Sequence, residues 1–477
     1  MLRTSINSFR GKRMPVIGAP SVKGDRDSML YSENFFKEEL VVNLRARILA
    51  VGIFLYYFIE NGTLGLVPAK YYLLYRSIRI SDLILYAMVL YSFVSYKEYK
   101  VLFNSKPFLI AKIFLAYLLF EFLVSYLRYG FNPVEYFLRL KGIWASFLVF
   151  PYLLLISRNG LPFLIKLIFP VAVISNTLYI ITALTGIAFL PDVSIIKQRL
   201  PGDIEVFRVF GGTFFGELFF LGIVYYWITK QFRFWQMGLV ALFIIPHILA
   251  FGRLAWVGFV FTILVIILIN SMNKKNYQIL LRQAILLVVM GISITYVFIK
   301  FIPESDYYVD ALSSRIFQGQ EDVKYDEGTY GTRVNLQNSA LVYLWMNSDV
   351  FLGVGFHPMW VIGPDSREET IIYGAFSDVS WPSVLAAYGA IGLFITVIIQ
   401  FYYMFLSLKI LRYSPRVNLY TFLIVLLFSK LVFDSTVGFS FVFVSTGLWG
   451  FFAGMNIYIP VLVYMYEDYR KKGIFKK

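Results

Sequence analysis

Apolar runs of about 18–25 residues recur along the chain, and each is long enough to cross the hydrocarbon core of a membrane as a helix. The runs are continuous, without the residue-by-residue alternation that the strands of a membrane barrel require. They predict an all-α, polytopic membrane protein of about twelve transmembrane helices. The predicted helices lie near residues 43–60, 79–95, 108–127, 141–157, 161–187, 210–229, 234–251, 254–272, 279–302, 382–408, 418–435 and 441–466.

Polar segments divide the chain into five predicted regions. A polar, basic N-terminal segment, 1–42, precedes helices one to nine within 43–302, and a basic tail, 467–477, follows the last three helices within 382–466. The first segment has no apolar run, so no cleavable signal is predicted and the first helix directs insertion. Residues 303–381 are the one long polar interruption. This segment is therefore the predicted place for a site that acts on a polar substrate.

The composition supports a membrane protein and gives its orientation. Hydrophobic residues make up 58% of the chain and the mean hydropathy is +0.68, whereas soluble domains are about 45–50% apolar. If residues 1–42 are cytoplasmic, the basic clusters all fall on the cytoplasmic side, as the positive-inside rule requires. The predicted orientation therefore has both termini in the cytoplasm and 303–381 outside it. The clusters are Lys97/Lys100/Lys106, Lys230/Arg233, Lys274/Lys275/Arg282, Lys409/Arg412/Arg416 and the tail RKKGIFKK.

Several kinds of chemistry are excluded by residue content. The chain has no cysteine, which excludes disulfides, thiol catalysis and Cys-ligated metals. Two histidines cannot build a multi-histidine metal centre, and no phosphate-binding glycine motif is present. The net charge of +15 is explained by topology, so nucleic acid is not a predicted partner. No cofactor and no metal are predicted.

Three arginines fall on the predicted outer side, where Lys and Arg are rare. Arg208 is predicted at the outer end of the helix 210–229. Arg253 lies in the short connection between the predicted helices 234–251 and 254–272. Arg333 opens a predicted amphipathic helix in the 303–381 loop. Two interpretations are open: interfacial anchors that snorkel to lipid phosphates, or forks that bind a diphosphate in a bidentate way.

The helix that Arg333 opens leads towards two candidate bases. Leu341, Leu344 and Trp345 are predicted to share its apolar face, because they are spaced at i, i+3 and i+4. His357 follows in GVGFHPMW, between a glycine pair and a proline that indicate a tight loop. Asp378 stands just before the next membrane helix in FSDVSWP.

Both residues also have structural interpretations. His357 could cap a carbonyl in a packed loop, and Asp378 could act as an N-cap of the following helix. His247, in the predicted helix 234–251, is interpreted as a packed, hydrogen-bonded residue. A transporter would instead need ionisable residues near the membrane midplane. The predicted midplane residues are few, chiefly Lys112, Lys166, His247 and Lys430.

Four stretches between about residues 208 and 400 resemble the bacterial O-antigen ligase and Wzy-type O-antigen polymerase superfamily. They are RVFGGTFFGEL, GRLAW, GTRVNLQNSALVYLWMNSDVFLGVGF and DVSWPSVLAAYGAIGLF. A weaker similarity to the same family is present in YRSIRISDLILY (75–86). Ligases of the family usually have a histidine followed by an asparagine where this chain has Ser377-Asp378. That difference favours a repeat-unit polymerase.

The resemblance implies a membrane-embedded glycosyltransferase of the C type at the outer face of the bacterial plasma membrane. Such an enzyme polymerises undecaprenyl-diphosphate-linked oligosaccharide repeat units without a nucleotide sugar. Arg208, Arg253 and Arg333 would then bind the diphosphate, and His357 or Asp378 would act as the base. Donor and acceptor glycolipids and membrane lipids are the implied partners, and binding of a chain-length regulator protein is left open. The alternatives are a ligase that transfers the glycan to another acceptor, and a transporter or flippase.

Overall fold

The computed structural model describes the main helical regions of the chain and part of the connecting sequence. The described residues are 43–60, 71, 73–75, 78–130, 132–134, 144–187, 194–200, 204–210, 215–229, 236–249, 253–274, 285, 291, 292, 296, 300, 310, 313, 334, 335, 338, 339, 341, 342, 344–346, 350–356, 380–414, 418–436 and 456–476.

The described residues are mostly helical, as the apolar runs predict. The elements in chain order are α1 (Leu44–Glu60), β1 (Leu73–Tyr75), β2 (Ile78–Arg79), α2 (Ile80–Val94), α3 (Tyr96–Phe103), α4 (Lys106–Tyr129), α5 (Val149–Ser157, preceded by a 3-10 turn, Ala145–Leu148), α6 (Leu161–Thr185), β3 (Ser194–Leu200), β4 (Ile204–Phe210), α7 (Gly216–Thr229), α8 (Gln236–Leu249), α9 (Arg253–Lys274), α10 (Ser380–Tyr413), α11 (Leu419–Thr436) and α12 (Tyr458–Lys471, followed by a 3-10 turn, Ile474–Lys476).

Three helices in the described part of the chain are long and apolar enough to cross a membrane. They are α4, α6 and the part of α10 from Tyr388 to Tyr413. The pair α2 and α3 would count as a fourth span if taken together, although α3 is bent away from α2 by 83°. The other apolar helices are shorter. The chain is therefore a helical membrane protein, and the predicted number of twelve spans stays a prediction.

Two antiparallel hairpins interrupt the helices, which the apolar pattern did not predict. Strand β3 pairs with β4 over seven residues each, from Ser194 opposite Phe210 to Leu200 opposite Ile204. The β4 sequence IEVFRVF is dense in β-branched and aromatic residues, which favour strands. The sequence Pro-Gly-Asp, residues 201–203, separates the two strands. This composition is typical of turns.

Helix α7 is the centre of the helix bundle, and aromatic side chains surround it. Phe219 packs against Phe169 of α6 and Phe243 of α8, with ring centroids 5.1 and 5.5 Å apart. On the other side Phe220 meets Phe259 of α9 at 5.4 Å. Such edge and offset ring contacts add to the area that each aromatic buries. Every α7 residue from Leu218 to Thr229 is buried.

The end of α4 and the start of α10 lie at one end of the bundle. We call this end the loop end. Phe122 of α4 packs against Trp144 at 5.9 Å, and the next residue, Ala145, accepts a 2.9 Å hydrogen bond from the Asn456 side chain. Asn456 also interacts with Tyr57 near the end of α1. Phe215, just before α7, also contacts Tyr57, with ring centroids 5.3 Å apart. The ends of α1 and α4 and the starts of α7 and α12 therefore lie at the same end of the bundle.

An ion pair fastens α3 to the end of α5 at the opposite end. Arg158 donates two hydrogen bonds of 2.7 Å to the Glu98 carboxylate and one of 3.0 Å to the Tyr91 hydroxyl. Its side chain is only 6% exposed. These hydrogen bonds hold the pKa of Glu98 below its ordinary value, although partial burial opposes the shift.

Replacing Glu98 with glutamine is expected to lower the thermal midpoint of the purified protein. The substitution leaves a guanidinium that is only 6% exposed without its counter-charge, a loss on the order of 1 kcal/mol because solvent partly screens the Glu98 carboxylate, which is 40% exposed. Because the pKa of Glu98 is lowered by folding, its contribution is present above about pH 4.3 and is lost as the pH falls further. The midpoints of parent and E98Q should therefore converge in acid. D468N removes the exposed Lys472–Asp468 pair and should shift the midpoint much less; equal shifts would contradict the assignment.

Candidate functional site

A stripe of polar side chains runs along the last three turns of α4. Tyr117, Glu121, Ser125 and Arg128 are spaced at i, i+4, i+8 and i+11, so they share one face of the helix. Tyr129 follows Arg128 at the same end. Polar groups within an apolar span are costly unless they have partners. Most of this stripe finds its partners in a short segment of the 303–381 region.

That segment is residues 350–356, VFLGVGF, which we call the docked loop. The Arg128 guanidinium donates a 2.6 Å hydrogen bond to the Gly353 carbonyl, and the Tyr129 hydroxyl donates one of 2.7 Å to the Val354 carbonyl. The Phe356 amide donates to the Ser125 hydroxyl oxygen at 2.7 Å. Three side chains of α4 therefore hold the backbone of the docked loop.

The docked loop also fills a break in α10. Gly389 has φ 63° and ψ −172°, which interrupts the helix between its first turns and the long membrane segment. Carbonyls of Val350 and Phe351 accept hydrogen bonds from the amides of Ala390 and Ile391, at 2.8 and 3.2 Å. A helix break exposes such backbone groups, which must find partners inside a membrane.

The other side of the break is satisfied in the same way. The Ala386 carbonyl accepts a 2.9 Å hydrogen bond from the Val354 amide, and the Tyr388 carbonyl accepts one of 2.9 Å from the Tyr117 hydroxyl. The loop and the broken helix thus complete each other's backbone hydrogen bonding. The result is a fixed, non-helical structure at the loop end.

Glycines make this close approach of three chain segments possible. Gly353 and Gly355 of the docked loop have φ angles of 66° and 64°, which are favourable only for glycine. A side-chain carbon on Gly389 would overlap the Phe351 carbonyl group, and one on Gly355 would overlap the Ser125 hydroxyl. Phe356 is fully buried, with its ring 6.0 Å from that of Tyr388.

Glu121 stands behind the docked loop and is fully buried. Neither of its carboxylate oxygens accepts a hydrogen bond from any described residue, because the single Tyr117 hydroxyl proton is donated to the Tyr388 carbonyl. An ionised carboxylate without donors is very costly in such a place.

The five residues that the sequence pattern singled out are placed only in part. Arg208 lies in β4, opposite Ile196 of β3, so its predicted position at a helix end is wrong; the strand-forming composition of β4 delays the helix to Gly216. Arg253 is the first residue of α9, as its short connection suggests. Arg333, His357 and Asp378 lie outside the described residues.

The chain on both sides of the loop end leads to the unplaced candidates. His357 directly follows Phe356, the last residue of the docked loop, and Asp378 precedes Ser380, the first residue of α10, by two positions. Ser380 is six residues before Ala386, which is about 9 Å of helix rise. The described residues next to these two positions are therefore the end of the docked loop and the start of α10.

The structure confirms a helical conformation for the described residues before the docked loop. It does not confirm the apolar face that was predicted for this helix. The described residues between 334 and 346 are helical, and Leu344 is 3% exposed. Trp345, predicted on the same face, is 79% exposed. Successive residues of a helix point about 100° apart, so the burial of Leu344 does not extend to its neighbour.

Two of the proposed midplane residues prove to be packing residues. Lys112 places its ammonium group 4.4 Å from the ring centre of Phe103 in α3, a cation–π contact. The His247 ring makes an edge contact with Phe259 at 4.9 Å. No group of three His, Asp or Glu among the described residues is arranged to hold a metal ion.

The polar stripe on α4 was missed by the sequence interpretation. Glu121 lies within the predicted helix 108–127, and its i±4 neighbours Tyr117 and Ser125 are polar as well. That spacing was the available signal, because a face of polar groups inside a predicted span can be recognised from periodicity alone. What it faces could not be read from the sequence.

Comparisons with known proteins add no relatives. A scan against models of protein families finds no match, and a search of curated proteins finds no similar sequence.

Proposed function

We propose that this protein is a membrane-embedded glycosyltransferase that polymerises undecaprenyl-diphosphate-linked oligosaccharide repeat units at the outer face of the bacterial plasma membrane. The observation that carries this proposal is the docked loop, which is fastened to α4 and to the break in α10 immediately before His357. A rigid end of a helix bundle is where a lipid-linked head group can meet fixed polar groups. The sequence motifs of the same region support the carbohydrate chemistry.

The proposed roles follow from the charge that moves in the reaction. The acceptor hydroxyl attacks the anomeric carbon of the donor, the bond to the diphosphate breaks, and a base takes the hydroxyl proton. Arg208, Arg253 and Arg333 are proposed to stabilise the growing charge on the diphosphate, since preplaced guanidinium groups do so without reorganisation. His357 or Asp378 is the proposed base.

The diphosphate role predicts that lysine cannot replace these arginines. R208K, R253K and R333K keep the charge but lose the planar fork, so each should reduce polymerisation of purified lipid-linked repeat units by about tenfold or more. R412K, at the far end of α10, is the matched control and should keep the parental rate. Full product length in all three variants would reject the diphosphate site. A product one transfer long, instead of a ladder, would favour a ligase.

The orientation is also part of the proposal, with both termini in the cytoplasm. The chain lacks cysteine, so a single cysteine placed at Ser314 or Ser366 reports on its own position. Both should react with an impermeant thiol reagent on intact cells or spheroplasts. Reaction only after lysis would reverse the orientation.

A further inference from the structure

Glu121 carries a carboxylate inside the membrane-spanning helix α4 that no described donor reaches. Its side chain is fully buried, and neither of its oxygens accepts a hydrogen bond from a described residue. The end of α4, at Tyr129, is eight residues further along, which is about 12 Å of helix rise. Arg128 lies near that end, and its guanidinium is bound to the Gly353 carbonyl. A carboxylate that is removed from water needs a positive partner, because an unpaired buried charge is costly.

Two hydroxyl oxygens flank this carboxylate, about one helical turn away on either side. Tyr117 precedes Glu121 by four residues and Ser125 follows it by four, so all three share one face of α4. The Tyr117 hydroxyl donates its proton to the Tyr388 carbonyl, so this proton is not available to Glu121. The Ser125 hydroxyl oxygen accepts the hydrogen bond of the Phe356 amide.

The docked loop closes over the same group from the other side. A side-chain carbon on Gly355 would lie 3.4 Å from Glu121 Oε2 and would overlap the Ser125 hydroxyl oxygen. The backbone at Gly355 therefore lies directly against both side chains. In α10, a side-chain carbon on Gly392 would come within 2.6 Å of the Tyr117 hydroxyl. The carboxylate is thus enclosed where α4, the docked loop and the broken helix α10 meet.

The chemistry of these groups suits a hard, singly charged cation. Carboxylate, hydroxyl and backbone carbonyl oxygens are ligands of hard metal ions, and the carbonyls of broken membrane helices can coordinate Na⁺. The Tyr388 carbonyl, which already accepts from Tyr117, has a second lone pair for such an ion. One carboxylate balances one positive charge. A single proton joins only two oxygens, whereas a metal ion contacts several at once.

We propose that Glu121 binds an alkali-metal cation, Na⁺ or K⁺, at the junction of α4, the docked loop and α10. The further ligands are the hydroxyl oxygens of Tyr117 and Ser125 and the carbonyl oxygen of Tyr388. Because the backbone of Gly355 covers the carboxylate only while the loop is docked, the ion binds the docked state and stabilises it by mass action. This cation site goes beyond the proposed function, since it requires neither a glycan nor a lipid-linked donor.

The test follows the docking of the loop with a thiol reporter. Val354 is 2% exposed and the chain has no cysteine of its own, so V354C is labelled only when the loop is released. Labelling of the purified full-length protein by an uncharged maleimide is measured at constant pH and ionic strength, while choline chloride is replaced stepwise by NaCl or KCl. An alkali cation at about ten times its dissociation constant should slow the labelling about tenfold.

Variants of Glu121 show whether its charge is responsible. E121Q/V354C keeps the shape of the side chain and loses the charge, so its labelling should be independent of Na⁺ and K⁺. The matched control is E467Q/V354C, because Glu467 of α12 is 3% exposed but is paired with Arg470; it should keep the cation response. E121D/V354C retains the charge on a shorter side chain and should need more cation for the same protection, which keeps the test informative if E121Q does not fold. Radioactive sodium should bind the parent saturably and should not bind E121Q.

The outcomes separate a metal ion from a proton. Equal labelling of V354C in choline, NaCl and KCl, or a cation response that persists in E121Q/V354C, would overturn the site, and so would protection by Mg²⁺ or Ca²⁺ alone. Labelling that ignores alkali cations but slows in acid only when Glu121 is present would assign a proton to the carboxylate and overturn the metal ion. None of these measurements includes a lipid-linked donor, so a failure of the polymerase proposal would leave the cation site standing, and the reverse also holds.

Discussion

Replacing Gly389 with alanine is expected to abolish polymerisation while leaving most of the protein folded. The φ and ψ of this residue, 63° and −172°, belong to a region that is essentially open to glycine alone and costs other residues about 1–3 kcal/mol. The alanine methyl group would also overlap the Phe351 carbonyl. Alanine is the best helix former, so the chain has an alternative: α10 can close its break and release the docked loop.

The release can be measured directly, because the chain has no cysteine of its own. Val354 is 2% exposed in the docked loop, so V354C should be unreactive towards a thiol reagent in the parent and reactive in G389A. The control is G238A, in α8, where a side-chain carbon would meet nothing within 4 Å; it should leave both activity and labelling unchanged. Parental activity in a G389A protein with a reactive V354C would show that docking is not needed for catalysis.

The existence of the helices could be predicted from the sequence, and their contacts could not. Apolar runs fix where a membrane helix lies, since length and hydropathy decide it, and α6 matches its predicted span within two residues at its end. The break at Gly389 lies inside such a run. Nothing in the local composition distinguishes it from the helical glycine Gly392, because the break is created by Phe351 and Val354, which are far away in the sequence.

At the candidate site, too, the local conformation could be predicted from the sequence, and the contacts between distant segments could not. The glycine pair of GVGF and its proline indicate a tight loop, and the structure confirms positive φ at Gly353 and Gly355. The residues that receive the loop, such as Ser125 and Arg128, belong to a helix more than two hundred positions earlier. Local periodicity gives the face on which they lie, but pairing across that distance is a tertiary property.

Replacing Ser125 with alanine is expected to loosen the docked loop without disturbing α4. The Ser125 hydroxyl accepts the 2.7 Å hydrogen bond from the buried Phe356 amide, and alanine leaves that donor without a partner. An unsatisfied buried donor costs about 1–3 kcal/mol, which is a factor of roughly 5 to 150 in the docking equilibrium. S125A should therefore make V354C more reactive and reduce polymerisation by a similar factor.

The matched control for S125A is S92A. Ser92 is equally buried, in α2, but its hydroxyl donates a 2.7 Å hydrogen bond to the Met88 carbonyl of its own helix, so its removal leaves no orphaned donor. S92A should keep the labelling and the activity of the parent. Because Phe356 is followed directly by His357, the loss in S125A should be largest in the chemical step and smaller in binding of the lipid-linked donor. A variant with a loosened loop and an unchanged rate of transfer would remove His357 from the reaction and leave Asp378 as the proposed base.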